Sequence, residues 1–243
     1  MTFSLTKSKP KPTKACMLCN FVKSDFITSS ERVRNFLLRN KTPYVSPEHY
    51  SIPDTKACRD ALHLVRHHSP SFLVNHSLRS YAFGVAMSHK VKTKIDKEVF
   101  FVGSILHDIG LTDLAPQQET FELEGAQIAR DFSLANNLAT SKADLVHEMV
   151  ALHNSVGVAH KHEPEVALLH YGAGADVAGL WLHDIHRDTL HEVLELYDDH
   201  GCKEGMIKLI KEQVSTKPDS YMSTMVELGF LKKMSNNTLS KIR

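Results

Sequence analysis

The chain has 243 residues, of which 42% are hydrophobic, and its formal net charge at pH 7 is +1. This length fits one domain of somewhat above average size with a sizeable core. The near-neutral charge gives no overall electrostatic footprint for nucleic acid or an anionic membrane, and no run of about 20 apolar residues could span a bilayer.

Two segments precede the predicted domain. Residues 1–20 are basic and contain prolines, which predicts a disordered tail, and residues 21–54 are predicted to form an N-terminal extension. No apolar stretch precedes Cys16, so the start of the chain does not resemble a secretory signal. Four cysteines without such a signal favour a reducing, cytoplasmic location.

Helical patterns dominate the rest of the chain, and no stretch shows convincing strand alternation, so we predict an all-α fold. The domain is predicted over residues 55–215, followed by a C-terminal helix and a frayed tail over 216–243. The first predicted helix begins after a cap at Asp54, the second runs from near His76 to about Lys90, and the third begins after a cap at Asp96 and stops at Gly110. Five more are predicted over residues 121–134, 141–152, 164–177, 188–197 and 204–214.

Two motifs and one later aspartate supply a set of metal ligands. The motifs are Asn75-His76-Ser77-Leu78-Arg79 and Ile105-Leu106-His107-Asp108-Ile109-Gly110, and the aspartate is Asp176. Two imidazoles and two carboxylates suit one divalent metal such as zinc, iron or manganese, and the spacing does not choose among them. A bound metal lowers the pKa of water from 15.7 to roughly 7, which permits hydrolysis or hydration.

The neighbouring ligands His107 and Asp108 impose a constraint on local structure. Adjacent positions in the middle of a helix point about 100° apart, so the two side chains could not converge on one ion there. We therefore expect both residues near a helix end.

A second copy of the central motif competes with the first. The segment Leu182-His183-Asp184-Ile185 repeats Leu106-His107-Asp108-Ile109, and His153 could serve as its upstream ligand. The first copy is favoured because its flanks are apolar. The second is surrounded by polar residues and is predicted to form a solvated helix face. The chain has 16 histidines, so a single histidine is weak evidence for a ligand.

Taken in order, these motifs resemble the HD-domain superfamily of metal-dependent hydrolases, and in particular its cyanamide hydratase-type branch. The resemblance covers about residues 55–215. The segments that carry it are Asn75-His76-Ser77-Leu78-Arg79, Leu106-His107-Asp108-Ile109 with Thr112-Asp113, Phe121-Glu122 with Gly125-Ala126, His153, and Asp176-Val177-Ala178-Gly179.

The resemblance implies an all-α HD-domain helical bundle around a single metal site. Its ligands would be His76, His107, Asp108 and Asp176, with zinc as the first choice of metal and iron or manganese as alternatives. Superfamily members that hold two metals have additional histidines. Here one of those places reads Phe121-Glu122-Leu123-Glu124, which favours a mononuclear site.

The resemblance also assigns roles around the metal. His153, Glu122 and Asp108 are the predicted catalytic residues, and Phe121 and Thr112 are the predicted substrate-binding residues. Plainer explanations stay open: His153 could cap a helix, Glu122 could be an exposed charge in a first helical turn, and Thr112 could stabilise a turn.

The function expected from the resemblance is the addition of water to a small nitrile or amide, with cyanamide to urea as the simplest case. One alternative is a phosphohydrolase, although Arg79 is the only lysine or arginine within the ligand motifs. Another alternative is a non-catalytic metal-binding sensor or interaction protein. The two carboxylates argue against it, because a structural zinc ion is normally bound by four cysteine or histidine ligands. We expect a small-molecule substrate and neither nucleic acid nor membrane as a partner, with homo-oligomerisation left open.

Overall fold

The computed structural model describes residues 13–37 and 42–242, and most of these residues are helical. Within those ranges there are eleven α-helices and no strand, which confirms the predicted all-α class. The helices are α1 Lys14–Leu37, α2 Lys56–His68, α3 Ser71–Ala86, α4 Lys97–Leu106, α5 Phe121–Ala135, α6 Thr140–Leu152, α7 Pro164–Ala178, α8 Arg187–Leu196, α9 Cys202–Thr216, α10 Tyr221–Glu227 and α11 Phe230–Ser235. None of these helices combines the length and apolarity needed to cross a bilayer.

The ends of the chain differ from the sequence prediction. Residues 14–20 were assigned to the disordered tail, but they form the first turns of α1. Residues 1–12 lie outside the described residues. The C-terminal segment contains two short helices, α10 and α11, instead of one, because Gly229 takes a left-handed conformation (φ 97°) between them. The N-cap of α2 is Thr55, one residue after the predicted Asp54.

Helices α3 and α7 pack together unusually closely, and this contact positions the candidate site. A Cβ atom added at Gly172 of α7 would lie 2.0 Å from the carbonyl oxygen of Ser80 in α3. On the opposite helix, a Cβ at Gly84 would lie 2.9 Å from the carbonyl oxygen of Leu168. Glycine at both positions therefore lets the two backbones approach, which brings His76 of α3 near Asp176 of α7.

The apolar interior is divided into two clusters. The larger surrounds α3, α4, α6 and α7 and contains the fully buried Phe100 and Phe101 of α4. The smaller joins α9, α10 and α11 to Met17 of α1 and Phe121 of α5. The candidate site lies where the smaller cluster meets α3 and α7.

Candidate metal centre

Three buried side-chain atoms from α3 and the end of α4 lie close together. His76 Nε2 is 3.1 Å from His107 Nε2, and Asp108 Oδ2 is 3.3 Å from each of these nitrogens. No more than 3% of any of the three residues is exposed. Two imidazole nitrogens and one carboxylate oxygen at this spacing could hold a metal ion.

Both the spacing and an unsatisfied atom fit a divalent metal. Ligand atoms about 2.05 Å from a tetrahedral zinc are about 3.3 Å apart, which is close to the spacing seen here. Asp108 Oδ2 is buried, yet it accepts no hydrogen bond from any described residue, an unfavourable state that a cation would relieve. Burial by itself would raise the pKa of Asp108, but His107 and His76 hold it well below its usual value.

The end of α4 explains how adjacent residues converge. Asp96 caps this helix, since its carboxylate accepts two backbone N–H groups of the first turn, as predicted. The helix ends at Leu106, and Asp108 leaves helical geometry with φ −106° and ψ 13°. The Nδ1 of His107 is 2.7 Å from the carbonyl oxygen of Ser104. A carbonyl can only accept, so Nδ1 carries the proton and the lone pair of Nε2 faces the cluster.

Asp176 lies on the other side of the His76 ring. Its Oδ2 accepts a hydrogen bond from His76 Nδ1 at 2.6 Å, and the guanidinium of Arg79 grips both its oxygens, with Nε–Oδ1 at 2.5 Å and Nη2–Oδ2 at 2.9 Å. Burial alone would raise the pKa of Asp176, but Arg79 and His76 lower it to about 2. The carboxylates of Asp108 and Asp176 outweigh burial at His76 and raise its pKa to about 9. A metal therefore competes with a proton on His76.

This placement bears on the predicted ligand role of Asp176. The structure brings Asp176 next to the three-atom cluster, but both of its oxygens are engaged by His76 and Arg79. The thiol of Cys202 is 3.9 Å from Asp176 Oδ2, and burial raises the pKa of that thiol. His76, Asp176 and Cys202 form a second buried group that could hold an ion. Coordination by Asp176 stays a prediction, and the observed contacts make it the residue that orients His76.

Sequence reasoning missed the role of Arg79. It was considered only as a cation for substrate, whereas the structure buries it completely and pairs it with Asp176. The available signal was its position three residues after His76, which places both side chains on one face of α3.

His153 follows the last residue of α6 and faces the cluster. Its Nδ1 is 2.7 Å from the carbonyl oxygen of Val150, so this nitrogen carries the proton. Its Nε2 is 3.6 Å from Asp108 Oδ1. Burial first, and the neighbouring His107 second, lower the pKa of His153 to about 4. The imidazole is thus neutral at pH 7, with an unprotonated Nε2 beside the candidate metal site.

Glu122 acts through a neighbour. It is buried in the first turn of α5, and its Oε1 accepts a hydrogen bond of 2.6 Å from Asn154 Nδ2. Burial raises the pKa of Glu122. Asn154 lines the cavity described below, whereas Glu122 does not. The geometry makes Glu122 a residue that positions Asn154, and its predicted catalytic role stays a prediction.

The two predicted substrate-binding residues lie in different surroundings. Phe121 lines the cavity, and its ring centroid is 5.8 Å from that of His153. Thr112 is outside the cavity lining, and its hydroxyl donates to the carbonyl oxygen of Ile109 at 2.7 Å. The turn explanation therefore accounts for Thr112 in the structure, and a substrate contact there stays a prediction.

A cavity of about 500 Å³ opens onto the cluster and His153. Its far walls come from α1, α9, α10 and α11, none of which the sequence linked to the site. Those helices carry no ligand motif, and only the folded chain shows that they enclose the same space. This volume lies within the range of about 300–1,000 Å³ typical of small-molecule sites.

The second copy of the His-Asp motif does not form the predicted solvated helix face. After α7 the chain reverses at Gly179, which has a φ of 66°, and residues Leu182–Asp184 form a short 3₁₀ turn packed against the domain. Asp184 is buried and pairs with Lys90 at 2.6 Å, while His183 lines the cavity.

Comparison with known families agrees with this geometry. Residues 73–178 match the family described as HD domain. The chain is therefore similar to HD domains over this segment, which is less than half of its length. The match runs from α3 to the last residue of α7 and contains every predicted ligand together with His153. A search of curated proteins found no match to the chain.

HD domains bind divalent metals and are usually metal-dependent hydrolases. In the matched segment of this chain, the buried His76, His107 and Asp108 are a group able to hold such an ion. The predicted domain limits of 55 and 215 extend beyond the matched segment on both sides and stay a prediction.

Proposed function

We propose that this chain is a metal-dependent HD-domain enzyme that adds water to a neutral nitrile or amide, with cyanamide to urea as its simplest reaction. The observation that carries this proposal is the unprotonated Nε2 of His153 beside Asp108, at the polar end of a largely apolar cavity.

His76, His107 and Asp108 would hold the metal, and Asp176 would orient His76 through its Nδ1. When bound, the metal supplies Lewis-acid chemistry and lowers the pKa of water to about 7. The remaining residues of the site would transfer protons or hold the ligands and the substrate in position. Orientation of a ligand histidine by a buried carboxylate is common in metal sites.

His153 is suited to move one proton. Because Val150 fixes the proton on Nδ1, Nε2 can accept a proton from the attacking water and return it to the substrate nitrogen. Its pKa of about 4 keeps Nε2 free at neutral pH. Asn154, held by Glu122, presents an amide to the cavity wall that could hydrogen-bond a nitrile, an amide or urea.

The charge of the cavity favours a neutral substrate over a phosphate ester. Arg79 is engaged by Asp176 and lies outside the lining, and among the described lining residues Lys233 is the one lysine or arginine. Phosphoryl transfer requires cations that stabilise several oxygens at once. The cavity that opens onto the cluster also argues against a purely structural metal site, which would be closed.

The proposal is tested by metal content and turnover measured together. The protein would be loaded with zinc, iron or manganese and assayed on cyanamide, small amides and a panel of nucleotides, alongside Asp108→Asn. We expect urea or ammonia formation that Asp108→Asn and a chelator both abolish. Phosphate release without urea or ammonia would reassign the protein to the phosphohydrolases, and failure to bind any metal would overturn both.

A further inference from the structure

We infer that the physiological substrate carries an apolar tail, which lies between the metal cluster and helix α1. This inference rests on the proposed function and names the substrate class of the same site: an amide or nitrile with an alkyl or aryl substituent. Cyanamide would then be a minimal substrate that fills only the polar end.

The size of the cavity supports a larger molecule. Its volume is about 500 Å³, whereas one water in the liquid occupies about 30 Å³. A nitrile of three heavy atoms would leave most of this space to water. Water held against apolar walls is unfavourable, and an apolar substituent would displace it.

The cavity has a polar part and an apolar part. The polar part contains the metal cluster, His153 and Asn154. The apolar part of the lining from α9, α10 and α11 includes Met206, Ile210, Met222, Met225 and Phe230. His170, His183 and Lys233 add polar atoms elsewhere in the lining. Flexible methionines adapt to apolar groups of varied shape, which suits a tail held by contact area alone.

Helix α1 extends the apolar wall. Leu18, Val22 and Ser29 of this helix line the cavity, and Leu18 is 50% exposed and Val22 62% exposed. At 1.5 Å per residue, the apolar pair Leu18 and Val22 spans about 6 Å of this wall. An apolar tail lying against Leu18 and Val22 would cover these exposed side chains. We therefore assign this exposed apolar stripe of α1, Leu18 and Val22, to substrate binding.

The same helix provides a matched control. Phe26 lies on the same face of α1 as Val22, at a spacing of four residues, and is 73% exposed, but it does not line the cavity. An aspartate at either position would be exposed and should leave folding intact. Only the aspartate at position 22 would place a charge beside a bound tail.

Trp181 gives a binding signal that does not require turnover. It is the single tryptophan of the chain and lines the cavity, so its fluorescence reports occupancy. We would titrate the zinc-loaded full-length protein with acetamide, butanamide, hexanamide and octanamide, and measure ammonia release in parallel. The Val22→Asp and Phe26→Asp variants would be treated identically, with sedimentation velocity on each.

We expect the Kd to fall about twofold to fourfold for each added methylene until the cavity is filled. Val22→Asp should weaken octanamide binding at least tenfold and leave acetamide unchanged, whereas Phe26→Asp should change neither. A Kd independent of chain length, or equal effects of the two variants, would overturn the inference. So would a dimer that Val22→Asp dissociates without altering octanamide binding, because the stripe would then join two copies.

The two proposals fail in different ways. Turnover of cyanamide and acetamide with no dependence on chain length would leave the proposed function standing and overturn the apolar tail. Binding that strengthens with chain length and responds to Val22→Asp, without hydrolysis of any amide or nitrile by the metal-loaded protein, would support the tail and overturn the proposed reaction.

Discussion

Arg79 and Asp176 form a buried, bidentate ion pair next to the Nδ1 of His76. Both guanidinium contacts are 2.9 Å or shorter, and the side chains are at most 1% exposed. Arg79 also donates to the carbonyl oxygen of Tyr197 at 3.3 Å and to that of Asp198. The pair thus joins α3 and α7 to the segment that follows α8, and fixes the carboxylate that orients His76.

Arg79→Met should destabilise the protein by about 3–5 kcal/mol, because it leaves the Asp176 carboxylate buried without its partner. Urea denaturation would measure the change in the free energy of unfolding. The matched control is Arg130→Met, which removes a more exposed ion pair of 2.7 Å with Asp144. That change should cost less than about 1 kcal/mol. Equal losses of unfolding free energy in the two variants would mean that Arg79 does not stabilise the buried Asp176 carboxylate.

Asp176→Asn tests whether this residue orients His76 or binds the metal. From the observed contacts we expect metal affinity to fall about 10–100-fold, as for other residues that support a ligand histidine. Isothermal titration with zinc would compare it with Asp108→Asn, which removes a direct ligand and should lower affinity much further. If both substitutions abolished binding equally, Asp176 would be the fourth ligand that the sequence predicts.

His153→Asn tests the proton-transfer role. Asparagine can still donate to the Val150 carbonyl, but it removes the Nε2 that faces Asp108. We expect kcat to fall about 10²–10⁴-fold with metal content unchanged. His170→Asn is a suitable comparison, since His170 is also buried in the cavity wall and donates through Nδ1, in this case to the His153 carbonyl. Equal losses in the two variants would argue against a specific role for His153 Nε2.

The residues that sequence alone located are those set by local rules. The Asp96 cap follows from short-range hydrogen bonding and was located correctly. The predicted stop at Gly110 was wrong, since α4 ends at Leu106, but the expectation that His107 and Asp108 lie near a helix end is confirmed. These features depend on neighbours within a few positions along the chain. The segment that matches the HD-domain family, residues 73–178, also contains all four predicted ligands.

Long-range contacts supplied what the sequence could not. Nothing in the pattern around Leu18 or Met225 indicates that α1 and α10 line the same cavity as His76. The pairing of Arg79 with Asp176 joins residues 97 positions apart. The buried turn at Asp184 depends on the left-handed backbone at Gly179, which a helical periodicity argument overlooks.

Gly172→Ala should disturb the metal centre from a distance. The new Cβ would lie 2.0 Å from the Ser80 carbonyl, so α3 and α7 must separate, at a cost of about 1–3 kcal/mol. Because His76 and Asp176 sit on these two helices, zinc affinity should fall as well. Gly205→Ala in α9 is the matched control: the three atoms nearest its Cβ belong to the ring of Phe72, a side chain that can move, and alanine favours a helix. Thermal unfolding with and without zinc would separate the two variants.

The buried His170 should make the protein sensitive to mild acid. Burial lowers the pKa of His170 from 6.5 to about 4, so between these values the unfolded chain binds a proton that the folded chain does not. The free energy of unfolding should therefore be fully retained above pH 6.5 and should decrease as the pH falls towards 4, by at most about 3 kcal/mol from this group. His170→Asn should reduce that slope in denaturation curves measured at several pH values. His200→Asn, at an exposed histidine, should leave the pH dependence of the unfolding free energy unchanged. An unaltered slope in His170→Asn would show that other groups cause the acid sensitivity.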